Sequence, residues 1–189
     1  MRLLRYLQSL IFLLTSPKYF SEKVISSIEE SREISKWATP SQHLFFDIDD
    51  TLGIHRGGLN EEICINLNTL VNQGKSVYLL TNCSLSRANE HKDRLKRYQC
   101  KATLWPHGQK PDHVWLKQEL SSKGLKPEDC SFYGDRPTMD LWMAWKAGFG
   151  HRIWIKGWRS LSKDRTGPLR WIQDLEWRRL NPQFLETES

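Results

Sequence analysis

The sequence predicts an α/β fold, a three-layer doubly wound parallel sheet. Three observations predict it: short apolar strand-like segments alternate with helical ones from His43 to Ile155, the helical segments carry apolar residues on one face, and glycines fall where the helices should stop.

Taken in order, the chain opens with Met1 to Leu14, where Arg2 and Arg5 precede the run Leu10-Ile11-Phe12-Leu13-Leu14. That run is far short of the roughly 20 residues a spanning helix requires. Thr15-Ser16-Pro17-Lys18 follows directly and offers no small-residue cleavage site, a poor fit to a cleaved signal peptide. Two readings stay open, an amphipathic helix lying on a membrane surface and the same helix packed on the domain. Ser21 to Trp37, between Pro17 and Pro40, reads as a second, polar helix with a weak apolar face at Val24, Ile25 and Ile28.

From Leu44 the character changes. Five strands are expected at His43 to Phe46, Ser76 to Leu80, Ala102 to Trp105, Ser131 to Tyr133 and Arg152 to Ile155. Helices are expected between them at Asn60 to Asn72, Leu85 to Tyr98, Pro111 to Lys123 and Pro137 to Ala147. In the first of these, Ile63, Leu67, Leu70 and Val71 share one face. In the third, Val114, Leu116 and Leu120 follow Pro111, a favoured first helical position. Gly74, Gly124 and Gly148 mark helix ends. Such alternation builds right-handed βαβ units, and the loops leaving the strands' carboxyl ends form the ligand crevice. Gly167 to Leu180 reads as a last amphipathic helix, with Leu169, Ile172, Leu175 and Leu180 among arginines. The organisation is therefore an N-terminal helical extension over 1–40, a catalytic core over 41–158, and a basic amphipathic helix and tail over 159–189.

Composition narrows the function classes. A hydrophobic fraction of 39% and a charged fraction of 26% belong to a soluble globular chain, neither disordered nor membrane-embedded. Cys64, Cys83, Cys100 and Cys130 lack metal-ligand spacing and read as reduced thiols, and the dispersed histidines give no support to a zinc site. A net charge of +6 favours anionic partners, or else a mildly basic cytoplasmic protein, with peripheral membrane association as the alternative.

Four features sit where the crevice is expected. Phe45-Phe46-Asp47-Ile48-Asp49-Asp50-Thr51 ends a buried strand with three carboxylates in four residues, and clustered acids repel one another unless a cation or protons intervene. Turn formation by Asp is the alternative reading. Thr81 and Asn82 end the strand Val77 to Leu80, where Thr also serves as a helix cap. Lys110 stands at a helix start, where the helix dipole opposes a cation and a local anion should compensate. Gly134-Asp135 ends a fourth strand, with Asp140 five residues later on the opening turn of a helix.

This order of motifs resembles the haloacid dehalogenase superfamily of phosphohydrolases, whose pattern is DxDx[TV], a strand-terminal Thr or Ser, a Lys, and GDxxxxD. The resemblance covers residues 43–155 and implies a Rossmann-like core with Mg²⁺ as cofactor. It implies Asp47 as nucleophile and Asp49 as general acid and base, with Thr81 and Lys110 completing the catalytic set. Metal ligation falls to Asp47, Asp49 through its backbone carbonyl, Asp135 and Asp140, the last as a ligand through water or an orienter. Phosphate binding falls to Asp50, Thr51, Thr81, Asn82 and Lys110. The intervals from Thr51 to Leu80 and from Thr81 to Lys110 are filled by one loop, helix and strand each, which leaves no room for the cap domain of many relatives.

An uncapped site suits a bulky phosphorylated substrate. Gln109-Lys110-Pro111 and Gly134-Asp135-Arg136 through Asp140 are similar to the phosphatidylglycerophosphate phosphatase branch, which implies a lipid phosphate at a membrane surface; Thr81-Asn82-Cys83 and Met139 depart from it. Arg152 to Arg179 carries eight Lys or Arg against three acids, with Trp154, Trp158, Trp171 and Trp177 interleaved. That mixture suits a membrane interface, a nucleic-acid end, or plain packing on the sheet. A phosphatase of nucleotides or nucleic-acid ends, and a non-catalytic binding module, are the competing readings.

Overall fold

The computed structural model describes residues 2–15, 23–25, 33–37, 39–54, 57–105, 109–156. The expected helix Gly167 to Leu180, with Trp158, Trp171 and Trp177, lies outside them. The elements are α1 (Arg2–Thr15), β1 (Lys23–Ile25), β2 (His43–Phe46), α2 (Glu61–Asn72), β3 (Ser76–Leu80), α3 (Leu85–Arg97), β4 (Thr103–Trp105), α4 (His113–Ser122), β5 (Cys130–Gly134), α5 (Trp142–Ala147) and β6 (His151–Ile155).

Every strand pairing is parallel, and the sheet order is β1-β6-β5-β2-β3-β4. From β2 the chain steps outward through β3 and β4, then returns to β2's other side as β5 and β6. The order therefore reverses at β2, and its carboxyl end is the switch point where open α/β sheets bind ligands. Asp47 is the next residue.

Alternation along β2 separates two cores. Leu44 and Phe46 point into a cluster with Ile63, Leu67 and Leu70 of α2 and Leu95 of α3. Phe45 points into the other, with Leu116 and Leu120 of α4, Trp142 of α5 and Leu13 of α1. Burial of each such side chain stabilises the fold by about 1.5–3 kcal/mol. Helices thus cover both faces, giving the expected three layers.

Asn60 caps α2 by accepting from the Ile63 N–H at 2.9 Å, and Ser84 caps α3 by accepting from Arg87 N–H at 3.4 Å. Gly74, Gly124 and Gly148 all have positive φ and end α2, α4 and α5 as expected.

Three expectations need correction. Lys23–Ile25, read as part of a helix, is an edge strand in register with Ile153–Ile155 of β6. The open edge of β6 offers unpaired backbone groups, and β-branched Val24 and Ile25 suit that pairing better than their weak helical face. The Lys156 N–H extends the pairing to Ile25 O at 2.8 Å. Secondly, Pro111 is not the first residue of α4, because Asp112 is its N-cap, accepting from Trp115 N–H at 2.9 Å. Val114 faces solvent, leaving Leu116 and Leu120 as the inward residues. Thirdly, Pro137–Leu141 is a π-type turn that precedes α5, its widened ring closed by the Trp142 N–H on Pro137 O. Such turns occur frequently at functional sites.

α1 packs on the domain. Leu13 is fully buried, Phe12 stacks on Trp145 at 4.4 Å, and Arg5 pairs with Asp112.

Candidate active site

Register places the acids. Phe46 lies opposite Leu79 on one side and Tyr133 on the other, so Asp47, Thr81 and Asp135 leave adjacent strands at nearly one level. The Asp47 N–H still donates to Tyr133 O at 2.9 Å, which anchors the nucleophile candidate to the sheet. Beyond it the chain coils: Leu52 N–H reaches Ile48 O at 3.1 Å, and Asp49 bridges Gly53. Asp50 takes φ 58°, a left-handed conformation that Asp tolerates better than most residues.

Asp47, Asp135 and Asp140 are buried, and each offers a carboxylate oxygen within 4.8 Å of the others. Lys110, also buried, joins two of them, donating to Asp47 Oδ1 and lying 2.7 Å from Asp140 Oδ1. Thr51 Oγ1 donates to Asp47 Oδ2 at 3.3 Å. Burial lifts the Asp47 pKa above the usual carboxylate range, with Lys110 opposing and Asp140 reinforcing the shift. Burial alone would lower that of Lys110, but Asp140 and Asp47 outweigh it and hold the ammonium charged. The anion that a lysine before a helix requires is therefore present twice over.

Asp140 is set by its surroundings. Its Oδ2 accepts the Arg136 N–H at 3.1 Å, and its own N–H donates to Arg136 O at 2.7 Å. The side chain closes over Gly134, where an added Cβ would come within 2.5 Å of Asp140 Cβ and 2.6 Å of Oδ2. That close approach is the physical reason for Gly-Asp at this strand end. Trp154 Nε1 donates to Asp135 O at 3.0 Å and fixes the loop from beneath.

The all-oxygen donor set fits Mg²⁺ in kind. Asp47, Asp135 and Asp140 outnumber the one ammonium, Lys110, that reaches two of them, an excess of acidic groups that a divalent cation would offset.

Two residues take positions that the sequence did not disclose. Asn82, expected to bind phosphate, makes a reciprocal pair with the Lys110 backbone: Oδ1 accepts from Lys110 N–H at 2.8 Å and Nδ2 donates to Lys110 O at 2.9 Å. It fixes the lysine's loop. Arg87, in the first turn of α3, donates from Nη2 to Asp49 Oδ1 at 2.7 Å, with both side chains partly open to solvent. Its signal was position alone, three residues after the Ser84 cap of the helix that follows Thr81. Thr81 is buried at the end of β3.

No protein-family model matches this chain, and the search of curated proteins found no match. A solved structure similar to it is that of 3-deoxy-D-manno-octulosonate 8-phosphate phosphatase from Moraxella catarrhalis, in complex with magnesium ion, phosphate ion and KDO. The identity is 19% and the TM-score 0.43, covering 86% of this chain and 99% of that one. At that level no activity transfers to this chain.

Proposed function

We propose that the protein is a Mg²⁺-dependent phosphatase that hydrolyses phosphomonoesters through an aspartyl-phosphate on Asp47. The observation that carries this reading is the buried set Asp47, Asp135 and Asp140 with Lys110 bridging the first and last, at the switch point of the sheet. A structural ion pair needs one carboxylate, whereas Lys110 meets two, Asp47 and Asp140, and Asp135 beside them adds a third buried carboxyl group whose charge a bound cation would offset.

The chemistry follows from position. A carboxylate oxygen of Asp47 forms a bond to phosphorus as the ester P–O bond breaks, and Asp49 gives its proton to the departing alcohol oxygen. Asp49 then takes a proton from water, whose oxygen attacks the same phosphorus, releasing phosphate and restoring the Asp47 carboxylate. Lys110 counters the negative charge on Asp47 and on the transferring group, and Thr81 donates to a phosphoryl oxygen. Asp47, Asp135 and the Asp49 carbonyl, with Asp140 in support, would hold Mg²⁺, which would supply charge neutralisation. Arg87 orients Asp49, and Asn82 orients Lys110.

Among the described residues only single helices join β2 to β3 and β3 to β4, and no further domain roofs the crevice. An open crevice admits a large alcohol, and a lipid phosphate is the substrate favoured by the apolar outer face of α1. Acid quenching during turnover of a radiolabelled phosphomonoester tests the intermediate. Label retained on the peptide containing Asp47 supports it; turnover without label on any carboxylate removes it.

A further inference from the structure

α1 meets the domain with one side only. Ser9 and Leu13 are fully buried, Phe12 lies on Trp145, and Arg136 Nη2 donates to the Tyr6 hydroxyl at 3.2 Å. The other side presents Leu3, Leu4, Leu7, Ile11 and Leu14, exposed by 71, 61, 48, 62 and 45%. At about 100° per residue these five fall in an arc of about 100°, roughly opposite Ser9 and Leu13. Single exposed leucines are ordinary on a protein surface; five on one arc of a 14-residue helix form a continuous apolar stripe.

Charge selects the occupant. The first 20 residues contain Arg2, Arg5 and Lys18 and no acid; Arg5 is taken up by Asp112, and the whole chain carries +6. An apolar arc on a basic, acid-free segment complements an anionic lipid surface. The helix is about 21 Å long, and no helix among the described residues is long and apolar enough to cross a membrane. Its fitting orientation is in the plane of the interface.

We propose that the outer face of α1 seats the protein on anionic lipid bilayers, with Leu3, Leu4, Leu7, Ile11 and Leu14 at the acyl boundary. The seat adjoins the candidate active site. Arg5 pairs with Asp112, two residues after Lys110, and Tyr6 is bonded to Arg136, next to Asp135. Both contacts are with loops that carry site residues, so a bound α1 holds the rim of the crevice at the lipid surface. The consequence for substrate rests on the phosphatase reading; the binding itself does not.

Co-sedimentation of the full chain tests it, using phosphatidylcholine vesicles with about a quarter phosphatidylglycerol, and phosphatidylcholine alone. Wild type is expected to pellet with the anionic vesicles, and Leu7→Glu/Ile11→Glu to lose binding by about tenfold or more. The variant should keep the wild-type melting temperature and hydrolysis of soluble p-nitrophenyl phosphate. Should it unfold, Leu7→Gln/Ile11→Gln makes the same comparison. Wild type left in the supernatant overturns the proposal, as does a folded variant that pellets equally or equal binding to both vesicle types. A stable dimer that the variant dissociates, without vesicle binding, assigns the face to a second copy instead. A chain that binds vesicles but hydrolyses no phosphomonoester keeps this inference and removes the phosphatase reading.

Discussion

Lys110→Met removes a buried cation from between two buried carboxylates while retaining much of the side-chain volume. At 2.7 Å, the attraction between Lys110 Nζ and Asp140 Oδ1 is about 6 kcal/mol at an effective dielectric near 20, before desolvation is subtracted. Truncating one partner of a buried pair costs about 3–5 kcal/mol, because the other charge stays buried without compensation. Without metal, the variant's unfolding free energy in a urea titration should therefore fall by about 3 kcal/mol. The more negative pocket should bind Mg²⁺ more tightly, giving a larger Mg²⁺-induced rise in melting temperature than in wild type. Turnover should move the other way, falling by about 10²- to 10³-fold in saturating Mg²⁺, because the charge opposite the transferring group is gone. Opposite changes in metal affinity and rate distinguish this account from simple loss of fold. A folded variant with turnover within about threefold of wild type would refute the role of Lys110.

Gly134→Ala should push Asp140 out of place, costing about 1–3 kcal/mol in stability and weakening the Mg²⁺-induced thermal shift. Arg87→Gln should leave stability within about 1 kcal/mol, since the pair is partly solvated, yet lower turnover by about ten- to a hundredfold through a loosened Asp49. His91 is buried with both ring nitrogens unpartnered, and burial first, then Arg87, lowers its pKa from 6.5. The unfolded chain then binds the proton more readily. Stability held above about pH 6.5 is lost as pH falls below it, by at most about 1.4 kcal/mol per pH unit, until the folded-state pKa is reached. His91→Leu should flatten that acid-side loss in melts taken between about pH 7 and 5.

The centre of the sheet was legible because its signals are local. β2 and β3 fall on their expected residues, since each is a short buried apolar run closed by polar residues. The acids of the site were legible for the same reason, as polar residues abruptly ending apolar strands. What stayed hidden depends on partners distant in sequence. β1 forms because β6 leaves an open edge, and three residues carry no signal of that. Asn82 reads as a phosphate ligand in the sequence, and its pairing with the Lys110 backbone, 28 positions on, leaves no local signal. Arg87 is one of many surface arginines until folding sets it against Asp49, 38 positions away. The π-type turn at Pro137–Leu141 has the composition of an ordinary helix start, and its widening goes with the turn of Asp140 back over Gly134.

Asp47 is proposed as the nucleophile of a metal-dependent phosphatase. Asn at position 47 keeps the shape and an acceptor oxygen for Lys110 while removing the attacking charge. The decisive measurement is steady-state hydrolysis of p-nitrophenyl phosphate by wild type and Asp47→Asn, with Mg²⁺ and with chelator. Wild type should turn over in a Mg²⁺-dependent way, and the folded variant should lose at least about a thousandfold. Equal rates for the two proteins in Mg²⁺ would contradict the assignment of Asp47.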